Sequence, residues 1–89
     1  MQKVVIYTGD LCSYCLMAKK LLDGKNISYQ EININVDKHK KDEMVNLAKG
    51  KTSVPQIFVG DLHIGGFDEL YKLERENKLE STLKEQDNI

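Results

Sequence analysis

Between Lys3 and Ile34 the apolar residues change period twice, and that alternation restricts the chain to folds built on a strand–helix–strand unit. Val4-Val5-Ile6 is a β-branched run stopped by Thr8-Gly9-Asp10, the pattern of a short buried strand over residues 3–7. Tyr14, Met17, Ala18, Leu21 and Leu22 then fall at i, i+3, i+4, i+7 and i+8, one face of a helix that stops at Gly24. From Ile27 to Ile34 the period returns to two, with Ile27, Tyr29, Ile32 and Ile34 set among Asn and Glu, which predicts a second strand. Two strands joined through a helix run parallel, and the crossover is right-handed.

Downstream, Asp37 is placed to cap a helix ending near Gly50. Its first half is polar, and only Met44, Leu47 and Ala48 offer a face to bury. After Pro55, Ile57-Phe58-Val59 reads as a fully apolar strand that turns at Gly60-Asp61 into Leu62-His63-Ile64. Gly65-Gly66 ends that hairpin, and Phe67, Leu70, Leu73 and Tyr71 begin a third helix. Leu79 and Leu83 predict a last helical turn, and residues 86–89 a loose tail. The order β-α-β-α-β-β-α predicts an α/β protein: a four-stranded mixed sheet flanked by helices, the thioredoxin-like fold. With 89 residues the chain suits one core and one domain, 1–89.

Charge and apolar content narrow the function classes. The net charge is -1, spread as +3 over residues 1–51 and -4 over residues 52–89. The cationic half suits a small anionic ligand or is simply solvated surface. Neither a long basic run nor a Trp is present, so no nucleic-acid partner is expected. Only Val4 to Tyr7 follows the first Lys as an apolar stretch, too short for an export signal, and nothing approaches the ~20 apolar residues of a membrane span. A cytoplasmic protein with no membrane partner is expected, and in a reducing compartment a close Cys pair is more often catalytic or metal-binding than a staple.

Cys12 falls where the loop after the first strand becomes the first helix, and Cys15 one turn further on. A thiolate at a helix start faces unpaired backbone N–H groups and the positive end of the dipole, which favours the anion. Three positions apart, Cys15 can reach back to close a disulfide. Cys12 is therefore expected to be exposed at the loop tip and nucleophilic, with Cys15 buried and resolving. Two inert core thiols would suit Cys15 but not Cys12, set between Asp10-Leu11 and Ser13. A four-ligand zinc site would need His39 and His63 as well, whose separation departs from the usual ligand spacing; both read as surface or edge residues. No resident metal is expected.

Tyr7-Thr8, Cys12-Ser13-Tyr14-Cys15, Ser53-Val54-Pro55-Gln56-Ile57-Phe58 and Gly65-Gly66-Phe67-Asp68 follow one another in this order, and with them the chain resembles the glutaredoxins over roughly residues 3–83. Thioredoxins, by contrast, carry Gly-Pro between their cysteines and a Trp before them, which this chain lacks. The resemblance implies a glutathione-dependent reductase of glutathione–protein mixed disulfides and protein disulfides. It implies a cis Pro55 against the cysteines, and a Val54 whose backbone pairs with the cysteinyl unit of glutathione. Gly66, Phe67 and Asp68 would take the γ-glutamyl end, although Gly65-Gly66 also reads as a plain connecting loop. Tyr14 would flank the sulfur, or fill a core position. Lys41 matches a basic position of the same pocket, or is a solvated lysine, and Ser53 stands where Thr is usual. Ser13 replaces the usual Pro and Gly9 the usual Lys. Glutathione is then the co-substrate, glutathionylated or disulfide-containing proteins are the partners, and the protein acts as a monomer. In some relatives with Ser at that position a [2Fe–2S] cluster bridges two subunits through the Cys12 equivalent and one glutathione from each, and cluster storage, transfer or sensing is the alternative that follows.

Overall fold

The computed structural model describes residues 3–84. Its elements run β1 (Val4–Thr8), α1 (Ser13–Gly24), β2 (Gln30–Asn33), α2 (Lys38–Leu47), β3 (Gln56–Val59), β4 (Leu62–Gly65), α3 (Phe67–Arg75) and α4 (Leu79–Lys84). The strands form one sheet in the order β2-β1-β3-β4. β1 and β2 are parallel, Val5 opposite Gln30 and Thr8 opposite Asn33. β1 pairs antiparallel with β3, and β3 with β4. The fold is thus the mixed α/β arrangement anticipated from the periodicity.

The two-residue period of β1 divides the interior. Val4 and Ile6 point to one face, where they pack with Ala18 and Leu22 of α1, Leu70 of α3, and Leu79 and Leu83 of α4. Tyr7 points to the other, joining Ile34, Met44, Ala48 and Phe58 beneath α2. Covered on both faces, β3 is buried at all four positions. The hairpin turn uses Gly60 at φ 57°, a conformation open to glycine without a steric cost.

Several expectations shift in detail. The second strand was expected from Ile27, but it begins at Gln30. Asn26 sits at φ 57° and the Ile27 N–H bonds the Leu22 carbonyl at 3.0 Å, so Ile27 is buried by the terminal turn of α1 rather than by a ladder. On α1 the buried positions are Cys15, Ala18 and Leu22, with Tyr14 and Met17 turned outward at 58% and 46% exposure. On α2 Val45 packs inward in place of the half-exposed Leu47. Asp37 caps α2 as expected, its carboxylate accepting the His39 N–H at 3.0 Å. Leu79 and Leu83 are both buried; the expected tail, 86–89, lies outside the described residues. Among the described residues no helix is long and apolar enough to cross a membrane.

Candidate active site

Cys12 is the N-cap of α1. Its Sγ accepts the Cys15 N–H at 3.1 Å, taking up one of the donors that a helix start leaves free. The two cysteines are joined as a disulfide, their Cα atoms 5.2 Å apart. Cys15 is 2% exposed, as expected for the inner thiol. Cys12, expected at the loop tip, is half-buried instead; the tip is Leu11, fully exposed at φ 51°. The loop is clamped from the β2–α2 connection. The Asp10 N–H donates to Asn35 Oδ1 at 2.6 Å, and Asn33 Nδ2 donates to Asp10 Oδ1 at 3.0 Å. Gly9 lies under this clamp: a Cβ there would stand 3.0 Å from Asn35 Oδ1 and 3.3 Å from a Val54 methyl.

Facing the disulfide is the cis Val54–Pro55 bond. Cys12 Sγ lies 3.8 Å from the carbonyl oxygen of Val54, which belongs to the lining of a groove of about 380 Å³. Seven of the residues singled out in the sequence line it: Tyr14, Ser53, Val54, Pro55, Gly66, Phe67 and Asp68. Lys51, Gln56 and Glu69 line it as well. Lys41 does not; it is exposed on α2, while Lys51 carries the positive charge of the lining. The glycine pair is more than a connecting loop. Gly65 has φ 122°, and a Cβ on Gly66 would approach the Pro55 carbonyl oxygen to 3.3 Å. The Gly66 N–H is held by Glu69 Oε1 at 2.7 Å, and Asp68 and Glu69 place acid in the first turn of α3. Tyr14 and Phe67 bring their rings within 5.9 Å across the groove. Tyr14 therefore serves the groove rather than the core.

Behind the site, charged groups are held by partners on other elements. Glu31 is pulled up by burial, but the Thr8 hydroxyl at 2.8 Å and the Lys19 ammonium outweigh this and hold its carboxyl below the usual range. Glu43 is lowered by the Tyr7 hydroxyl and then by Lys40, while burial and Glu43 raise Tyr7. His63 is lowered first by burial and then by Lys51 and Lys49, against an opposing pull from Glu69.

A model of the glutaredoxin family matches residues 4–64, across both cysteines, the cis-proline strand and the hairpin. This chain belongs to the glutaredoxin family. It is 45% identical over 84 residues to glutaredoxin 3 of Escherichia coli K12, covering 94% of this chain and 100% of that one. The solution structure of a glutaredoxin from Brucella melitensis superposes with a TM-score of 0.83 at 43% identity, covering 100% of this chain and 96% of that one. The crystal structure of a buckwheat glutaredoxin–glutathione complex gives 0.84 at 30% identity, covering 94% and 78%. Family membership and the Cys12–Cys15 pair make the protein a thiol–disulfide oxidoreductase on a thioredoxin-like fold.

For a glutaredoxin, sequence reasoning missed Lys51, Gln56 and Glu69 of the lining, and His63 behind it. Lys51 was hidden because it precedes rather than belongs to the Ser53–Phe58 signature. Gln56 sat inside that signature without a role. His63 read as an edge residue; it lies on the edge strand, yet it is half-buried and hydrogen-bonded to Gln56 at 2.6 Å. A polar residue amid an apolar strand, Gln56 beside Ile57-Phe58-Val59, was the available signal. As for a cluster, [2Fe–2S] takes four cysteine-type ligands, and this chain brings Cys12 to the surface region with Cys15 sealed behind it. The remaining ligands would have to come from outside the chain.

Proposed function

We propose that this glutaredoxin is a glutathione-dependent reductase of glutathione–protein mixed disulfides and of protein disulfides. The observation carrying this reading is the position of Cys12 Sγ, which caps α1 through the Cys15 N–H and lies 3.8 Å from the carbonyl oxygen of Val54, a residue of the groove lining. In the reduced protein the same N–H and the helix start favour a Cys12 thiolate, the form that attacks disulfides. The thiolate attacks the glutathione sulfur of a mixed disulfide; the S–S bond breaks, the substrate thiolate leaves and is protonated, and glutathione remains joined to Cys12. A second glutathione thiolate attacks that glutathione sulfur, releasing oxidised glutathione and restoring the Cys12 thiolate. Alternatively Cys15 attacks Cys12 Sγ, expels glutathione and closes the disulfide, and two glutathiones then reopen it, themselves becoming oxidised.

The groove suits this ligand class. The backbone groups of Val54 suit strand-like pairing with a peptide, requiring no particular side chain. Asp68, Glu69 and the start of α3 suit the α-amino-acid end of glutathione, and Lys51 suits its far carboxylate. The glutathione complex of the buckwheat relative supports the assignment. All the groups named come from one chain, so this reading needs no second subunit and is that of a monomer, and its thiol chemistry suits the reducing cytoplasm.

Serine replacements test the mechanism. Reducing a glutathione mixed disulfide needs one protein sulfur, whereas a protein disulfide needs a second to resolve the enzyme–substrate linkage. Cys15→Ser is expected to keep substantial activity on a glutathionylated peptide and to lose most activity on a protein disulfide. Cys12→Ser is expected to lose both, because a hydroxyl is not ionised at neutral pH. Activity surviving in Cys12→Ser but not in Cys15→Ser would reverse the roles.

A further inference from the structure

The Ser53–Val54–Pro55 turn is held from behind by side chains reaching the edge of the sheet. Gln56 opens β3 and is 2% exposed. Its Nε2 donates to the Ser53 carbonyl oxygen at 3.0 Å and to the Ser53 hydroxyl at 3.3 Å. A carbonyl only accepts, so this fixes which way the amide points. Its Oε1 is thereby aimed at β4, where His63 Nε2 lies 2.6 Å away. Oε1 also only accepts, so the proton of the neutral imidazole sits on Nε2. The ring is held flat on Phe58, its partner across the hairpin, with centroids 4.7 Å apart.

We infer that His63 is a positioning residue: its Nε2–H locks the Gln56 amide, and through it the Ser53–Val54–Pro55 backbone that faces Cys12. Without that donor, the buried Oε1 has no partner and the amide is free to exchange its ends. The exchange would set Oε1 against the Ser53 carbonyl, acceptor against acceptor, and loosen the turn. The charged groups whose fields act on the ring are Lys51, Glu69 and Lys49. The imidazolium donates from Nε2 as the neutral ring does, so the lock holds on both sides of the His63 titration.

This inference rests on the proposed reading of the groove for its kinetic consequence, though not for the lock itself. Long-range proton–nitrogen correlation on the wild-type chain at neutral pH is expected to find the Nε2–H tautomer; the Nδ1–H tautomer would overturn the proposal. His63→Phe keeps the stack on Phe58 and removes the donor. It is expected to speed solvent exchange of the Gln56 side-chain amide and to raise KM for a glutathionylated peptide roughly 3–10-fold, with kcat within about twofold. Gln56→Met should raise KM by a similar factor, and the double variant no further, because both changes break one chain of contacts. Additive effects, or a fall in kcat at constant KM, would sink the idea. Were the glutathione reading itself at fault, the wild type would show no saturation with that peptide. The tautomer and the Gln56 exchange rate would then still decide the lock.

Discussion

Lys41 and Lys51 show what a single residue's place in the fold decides. Both are lysines in the cationic half of the chain, and the resemblance singled out Lys41, but the structure sets Lys51 in the groove lining and Lys41 outside it. On the proposed reading, the two carboxylates of glutathione would feel the nearer charge. Lys51→Ala is expected to raise KM for a glutathionylated peptide by about 1.5–5-fold, the range for an exposed ion pair, and Lys41→Ala by less. Raising the salt concentration should shrink the Lys51 effect. Steady-state kinetics on the two variants at low and high salt checks both statements, and an effect confined to Lys41→Ala would return the role to α2. Sequence could not make the choice, because the distance of a lysine from Cys12 along the chain says nothing of where the loop before β3 comes to lie.

At the scale of elements, β2 is tied to β1 and α1 through Glu31, which meets the Thr8 hydroxyl and Lys19. Its lowered pKa means that the folded protein binds this proton less readily than the unfolded chain. The contribution to stability is therefore present above the ordinary glutamate value and lost as pH falls through the lower, folded value, a window that lies below the ordinary glutamate range. Glu31→Gln should be less stable than the parent at neutral pH and should lose less stability across that window. Urea denaturation at stepped pH reads the difference; parallel curves for the two proteins would mean that Glu31 does not contribute to the slope. The elements themselves were legible because period two and period 3.6 alternate cleanly, the Asp37 cap marks the start of α2, and α1 ends at Gly24. What was not legible is rotation. Tyr14 and Met17 continue the apolar stripe of α1 but face outward, because the helix turns Cys15 inward and Tyr14 to the groove. Periodicity counts an aromatic that lines a binding groove as core. Likewise Ile27 is buried without being in a strand, since an Asn at positive φ folds it back on α1.

Across the whole molecule, the sheet separates two interiors that bear differently on the site. One face holds Leu70 of α3, the helix whose first turn supplies Phe67 and Asp68 to the groove. The other holds Met44 of α2, a helix that contributes none of the groove lining. Both side chains are fully buried, so Leu70→Ala and Met44→Ala should each cost about 2–5 kcal/mol, a large part of the ~5–15 kcal/mol that holds a small domain folded. The Leu70 site is ringed by α1, β-sheet and α4 residues that cannot easily close on a cavity. The Met44 site lies under a short helix with a polar first half, which can settle inward, and should fall nearer the lower bound. The functional consequences should split more sharply than the stabilities. A cavity under α3 lets its N-terminal turn shift against the Pro55 carbonyl and widen the groove, so Leu70→Ala should raise KM for a glutathionylated peptide at temperatures where the protein remains folded. Met44→Ala should leave KM near the parent value. Denaturation midpoints supply the first comparison and steady-state kinetics well below both midpoints the second. A KM rise in Met44→Ala equal to that in Leu70→Ala would mean that the two faces are coupled through the sheet, and that the groove is governed by overall stability rather than by the packing of α3.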